Sequence, residues 1–95
     1  MASSNDYYVY VMEMLKDVGG ITSKKMMGEY LLYKDGVLFG GIYDNRFLVK
    51  KTKSLEGLKE QIPYPGGKPM LLVDSESPRE IEELILAVCK DLKAS

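Results

Sequence analysis

Residues 29–43 read Glu29-Tyr30-Leu31-Leu32-Tyr33-Lys34-Asp35-Gly36-Val37-Leu38-Phe39-Gly40-Gly41-Ile42-Tyr43, and this stretch decides the fold. Two runs of aromatic and aliphatic residues flank an Asp-Gly pair. A two-residue type I′ turn needs positive φ at both central positions, and Asp-Gly adopts it at little cost, so the pattern predicts a β-hairpin. Working outward, residues 46–51 repeat the composition after Asp44-Asn45, a second turn signal, and residues 21–27 precede it. Gly28 separates the first two runs and is expected to give a bulge or bend rather than a chain reversal. Together the runs predict an antiparallel meander of four strands.

Helices are expected on either side. Ser4, Asn5 and Asp6 are N-cap candidates, and Tyr8, Val11, Met12, Leu15 and Val18 then fall on one stripe at helical spacing, stopped by Gly19-Gly20. After the meander, Thr52 or Ser54 is expected to cap a short helix that turns Leu55, Leu58 and Ile62 toward the core, weakened by Gly57. Pro63, Pro65, Gly66 and Gly67 force a loop, and residues 69–73 read as a further strand. The final helix is signalled most fully: Ser77 at the N-cap, Pro78 at N1 and Glu80 at N3 form a capping box. Its apolar face is Ile81, Leu84, Ile85, Val88, Cys89 and Leu92, and Lys90 and Lys93 complement the C-terminal dipole. The expected fold is a two-layer α+β domain with a mainly antiparallel sheet and N- and C-terminal helices, in the order α-ββββ-α-β-α, occupying residues 1–95 as one domain.

Composition narrows the chemistry. The chain has 95 residues, no histidine and a single cysteine. The commonest general base and the commonest zinc ligand are thus both missing, and no internal disulfide can form. Cys89 sits on the apolar side of the last helix and reads as a core residue with no base to activate it. Glu80, Glu82 and Glu83 crowd a helix start, where the macrodipole accounts for them, so no metal site is expected. Pro65-Gly66-Gly67-Lys68 lacks the P-loop spacing and runs into a strand instead of a helix N-terminus. No catalytic residue and no cofactor are expected, and a small-molecule enzyme is the least supported reading. The first ten residues carry neither a basic n-region nor an apolar h-region, and no apolar run approaches bilayer length. A cytoplasmic protein without membrane association is expected.

Two partner readings remain. Strand residues alternate faces, yet each strand of the meander is apolar on both: Tyr30 and Leu32 against Leu31 and Tyr33, Val37, Phe39 and Tyr43 against Leu38 and Ile42, Phe47 and Val49 against Leu48. Either the helices straddle the sheet, or its second face meets a protein partner or a second copy of the chain. The second option is favoured, with Tyr30, Leu32, Phe39, Tyr43 and Leu48 as the candidate interface. The alternative is a nucleic-acid-associated regulator using Lys24, Lys25, Arg46, Lys50 and Lys51. Residues 1–53 carry eight basic and six acidic side chains, residues 54–95 five and eight, so the halves differ as +2 and −3. The net charge of −1 argues against a dedicated nucleic-acid module. Lysines at strand ends also commonly serve to block edge-to-edge aggregation.

Several stretches carry a family pattern: Lys24-Lys25-Met26-Met27-Gly28-Glu29-Tyr30-Leu31-Leu32-Tyr33, the Asp35-Gly36 turn, Asn45-Arg46-Phe47-Leu48-Val49-Lys50, and Pro63-Tyr64-Pro65-Gly66-Gly67-Lys68-Pro69-Met70. They resemble the N-terminal domain of the bacterial competence regulator TfoX (Sxy), in a stand-alone form without the regulator's C-terminal helical domain. Met27 stands where that family often has phenylalanine, and Glu29 where it often has a second glycine. The resemblance implies an α+β layer of the secretion-chaperone-like kind, in which partner contacts are common, and it carries over no catalytic residue. The combined expectation is a non-enzymatic regulatory or protein-interaction domain acting through an apolar sheet face.

Overall fold

The computed structural model describes residues 3–94. Helix α1 spans Asn5–Met14, with the Ser4 hydroxyl accepting the Tyr7 N–H at its start. It ends a turn earlier than the Gly19-Gly20 stop, but the tightened turns that follow still bury Leu15 and Val18. Strands β1 (Ile21–Met26), β2 (Glu29–Lys34), β3 (Val37–Ile42) and β4 (Phe47–Lys50) form the expected meander. Strands β5 (Glu60–Gln61) and β6 (Met70–Leu72) complete one antiparallel sheet of order β1-β2-β3-β4-β6-β5, and α2 (Pro78–Ala94) closes the chain.

Three hairpin turns hold both central residues at positive φ: Met27-Gly28, Asp35-Gly36 and Asp44-Asn45. The first overturns the expectation of a bulge or bend at Gly28, because Met26 pairs directly with Glu29 and the chain reverses there. Glycine takes the second left-handed position, and Met27 accepts the first with its side chain 95% exposed, where no packing opposes it. The bulge lies elsewhere. Leu32 pairs with Gly40 but Tyr33 with Leu38, so Phe39 is the extra residue of β3. Alternation is broken at that point, and Phe39 shares a face with Ile42 instead of with Tyr43.

The short helix expected after β4 is absent. Gly57 sits at φ +80°, which no helix interior tolerates, and the segment crosses as irregular chain to the two-residue β5. Leu55 and Leu58 still pack against the core, whereas Ile62 points outward at 46% exposure. In place of helical capping, the Asp91 carboxylate accepts the Ser54 N–H at 2.9 Å and the Ser54 O–H at 2.7 Å, tying this segment to α2. The α2 N-terminus forms as expected with one difference. Ser77 caps the Glu80 N–H, but the Glu80 carboxylate accepts from the Ser75 hydroxyl at 2.9 Å, and Ser75 in turn accepts the Ser77 N–H.

Both helices cover the same side of the sheet. Val11, Leu15 and Val18 from the α1 region and Ile81, Ile85, Val88 and Cys89 from α2 join Tyr30, Leu32, Phe39, Ile42, Phe47, Val49, Leu71 and Val73 in one buried cluster. Tyr8 pins the α1 side to the sheet margin. Its ring stacks on Tyr30 at 4.2 Å between centroids, and its hydroxyl shares a 2.7 Å hydrogen bond with Ser23. The straddling arrangement does not occur among the described residues, whose helices leave the opposite face of the sheet uncovered.

Candidate functional site

The face away from the helices is built from the residues between those of the core: Leu31 and Tyr33 of β2, Leu38 of β3, Leu48 and Lys50 of β4, and Met70 and Leu72 of β6. None of them belongs to the helix-side cluster. Leu48 lies between Gly41 and Leu72 in the ladder and is fully buried even so. Its cover comes from within the chain. Gly41 lacks a side chain, and the Tyr43 ring occupies the space, so a Cβ on Gly41 would lie 2.8 Å from that ring. Burial raises the Tyr43 phenol above its ordinary pKa, with the neighbouring Tyr64, Glu29 and Tyr33 acting in the same direction.

The loop between β5 and β6 forms a wall of this face. Tyr64 tilts against Tyr43 with ring centroids 6.1 Å apart, and a turn closed by the Gly67 N–H on the Tyr64 carbonyl holds its shape. Arg46 fastens the loop to the β3–β4 turn. Its Nε donates to the Tyr43 carbonyl at 3.1 Å, Nη1 to Gln61 Oε1 at 2.8 Å and Nη2 to the Pro63 carbonyl at 3.2 Å. Between wall and sheet runs an open groove of about 860 Å³, with Leu31, Leu38, Tyr43 and Met70 along it and Lys50, Lys51 and Lys68 beside it.

The five candidate interface residues therefore divide. Tyr30, Leu32 and Phe39 are buried in the helix-side core and present no open surface; only Tyr43 and Leu48 belong to the other face, and both are buried. Pairing Phe39 with Tyr43 by simple alternation failed because the bulge at Phe39 reverses the parity. The groove's accessible apolar residues, Leu31, Leu38, Met70 and the 57% exposed Tyr64, were not singled out from sequence. Residues 63–67 read as a loop and residues 69–73 as a strand, and nothing in the loop's composition says which sheet face it folds over.

The five basic candidates divide as well. Lys24 stands opposite Leu31 in register, on the groove side, while Lys25 lies 5.8 Å from the Tyr30 ring centroid on the helix side. Arg46 is engaged by three acceptors, and Lys51 pairs with Glu60 at 2.9 Å. Lys50 remains in the groove, joined there by Lys68. Among the described residues no group of His, Cys, Asp and Glu side chains is placed to hold a metal ion. Cys89 is 5% exposed in the core, and burial pushes its thiol above its ordinary pKa, the direction that suppresses the thiolate. Among the described residues no helix is long and apolar enough to cross a membrane.

The family model for the TfoX N-terminal domain matches residues 13–81, which include every strand and the wall loop of the groove. The chain belongs to the TfoX N-terminal domain family. A relative in Spirochaeta aurantia, an uncharacterised 12.7 kDa protein of the trpE 5′ region, is 33% identical over 86 residues, covering 83% of this chain and 75% of its own length.

Proposed function

We propose that the chain is a cytoplasmic, non-enzymatic regulatory domain that binds another protein through the sheet face left open by the helices. One observation carries the reading: Leu31, Leu38 and Met70 line an open groove on a face that an antiparallel sheet ordinarily makes polar. Apolar side chains held at the surface in one contiguous strip are the usual mark of an interaction site. Family membership supports a regulatory role, and the lack of histidine together with a buried, unactivated thiol weighs against catalysis.

Photo-crosslinking tests this directly. A benzophenone amino acid at position 38 samples the groove, and one at the exposed Leu86 on α2 serves as control. In cells of the native host, a defined protein adduct from position 38 and none from position 86 is the expected result. Adducts to nucleic acid from position 38 would favour the alternative regulator reading. Equal yields of the same adducts from both positions, or none from either, would overturn the proposal.

A further inference from the structure

The charge around the groove selects its occupant. We propose that it takes an acidic, partly apolar peptide segment of a partner protein, and not a second copy of this chain. The inference rests on the reading that this face docks a protein and specifies what is docked.

Lys50, Lys51 and Lys68 line the groove, and no carboxylate does. Only Lys51 is neutralised, by Glu60; among the described residues Lys50 and Lys68 have no ion-pair partner. Lys24 adds a further ammonium at the β1 end of the same face, across from Leu31. Between these cations the surface is Leu31, Leu38 and Met70, which gain nothing from water or from a free carboxylate. The combination fits a segment in which acidic residues alternate with apolar ones.

Dimension supports a peptide. The groove crosses from β2 over β3 and β4 to β6, three inter-strand steps of about 4.8 Å, or about 14 Å in all. Such a track holds about four residues of extended chain at about 3.3 Å each.

Two other occupants fit less well. An isologous contact sets the same patch on both copies, so the unpaired Lys50 and Lys68 of each groove would meet those of the other, and the groove lining holds no carboxylate to offset them. Single-stranded nucleic acid would engage the lysines but needs exposed rings on which bases stack. Tyr43 is 9% exposed and packed over Gly41, which leaves Tyr64 as the one open ring among the groove's own lining. The guanidinium best suited to a phosphate, that of Arg46, is already spent on Tyr43, Gln61 and Pro63.

The test is selection from a displayed library of random ten-residue peptides on the full chain, followed by anisotropy measurements with a selected peptide. Selected sequences should be enriched in Asp and Glu interleaved with Leu, Tyr or Phe. Their affinity should fall at least tenfold in the Lys50→Gln/Lys68→Gln variant, and again on raising salt; that variant's melting temperature verifies its fold. Peptides without acidic enrichment that are nevertheless lost on Leu38→Lys would overturn the charge inference while leaving the docking reading intact. Failure to select any peptide sensitive to Leu38→Lys would overturn both. A dimer by light scattering that Leu38→Lys dissolves, or a single-stranded DNA oligonucleotide that displaces the selected peptide, would reassign the groove and overturn the proposal.

Discussion

Arg46 reaches Pro63 across seventeen residues of sequence, its Nη2 donating to the Pro63 carbonyl at 3.2 Å. With the bonds to Tyr43 and Gln61, this makes one side chain the fastening between the β3–β4 turn and the wall of the groove. The planar fork satisfies three acceptors in fixed directions, which an ammonium on a flexible stem does not reproduce.

Arg46→Ala should accordingly destabilise the domain by about 1–3 kcal/mol, the range for a hydrogen-bonded charged group. Arg46→Lys should recover only part of the loss. Thermal unfolding reads the stability, and amide exchange reads the location: protection should fall at residues 61–67 before it falls in β2 or β3. Uniform loss over the sheet would mean that the wall is not a separately fastened unit.

Gly41→Ala isolates the relation between Tyr43 and the strand beneath it. A Cβ there would stand 2.5 Å from the Tyr30 carbonyl oxygen and 2.8 Å from the Tyr43 ring, and the backbone oxygen cannot move aside. The expected cost is about 1–3 kcal/mol, as for other overpacked sites. Tyr43→Asp should cost more, because it places a carboxylate in a buried position against Gly41, whereas Tyr43→Phe should be nearly neutral. Chemical denaturation ranks the three, and a Tyr43→Asp variant as stable as the parent would contradict this packing.

The hairpins at Asp35-Gly36 and Asp44-Asn45, the α2 start at Ser77-Pro78 and the two-sided apolarity of the sheet were all legible in sequence, because each is a local rule expressed within a few residues. What was not legible depends on contacts between distant segments. Phe39 breaks the alternation through a bulge beside Gly40-Gly41, glycines that signal a bulge without fixing which residue is left unpaired. Met27 takes the first left-handed position of its turn, a local strain that its residue type does not announce. Leu55 and Leu58 share helical spacing and still reach the core from irregular chain, the positive φ at Gly57 interrupting any helix there. The groove itself depends on where residues 63–69 fold, a tertiary choice made by Arg46 and Tyr43.

Glu29 is the hub of another long-range tie. Its Oε1 accepts from the Ser3 N–H at 2.8 Å and the Ser3 O–H at 2.7 Å, and its Oε2 accepts the Asp44 N–H at 2.9 Å. Ser3 Oγ accepts the Asn45 N–H at 3.0 Å, so the N-terminal segment and two hairpin turns close on one carboxylate. Glu29→Ala should cost about 1 kcal/mol by removing the acceptor of the Ser3 O–H and the Asp44 N–H, while the Ser3 N–H keeps the Gly28 carbonyl at 3.1 Å. Amide exchange at Ser3, Asp44 and Asn45 should quicken together while the Asp35-Gly36 hairpin keeps its protection. Faster exchange at Ser3 alone would show that the N-terminal segment is held independently of the β3–β4 turn.

Asp91 gives the fold a pH dependence of known sign. The Ser54 O–H and N–H bonds hold its carboxyl below the ordinary value of 3.8. A carboxyl whose folded pKa is depressed favours folding when ionised. Its contribution is complete above the unfolded value and disappears as pH falls through the lower folded value. Parent and Asp91→Asn should therefore differ in stability near neutral pH and converge in acid below the folded pKa of Asp91. Urea unfolding of both proteins from pH 7 down to pH 2 measures the convergence. A stability gap that persists unchanged at the acid end would show that Asp91 holds the loop at Ser54 by shape or neutral hydrogen bonding, and not through its charge.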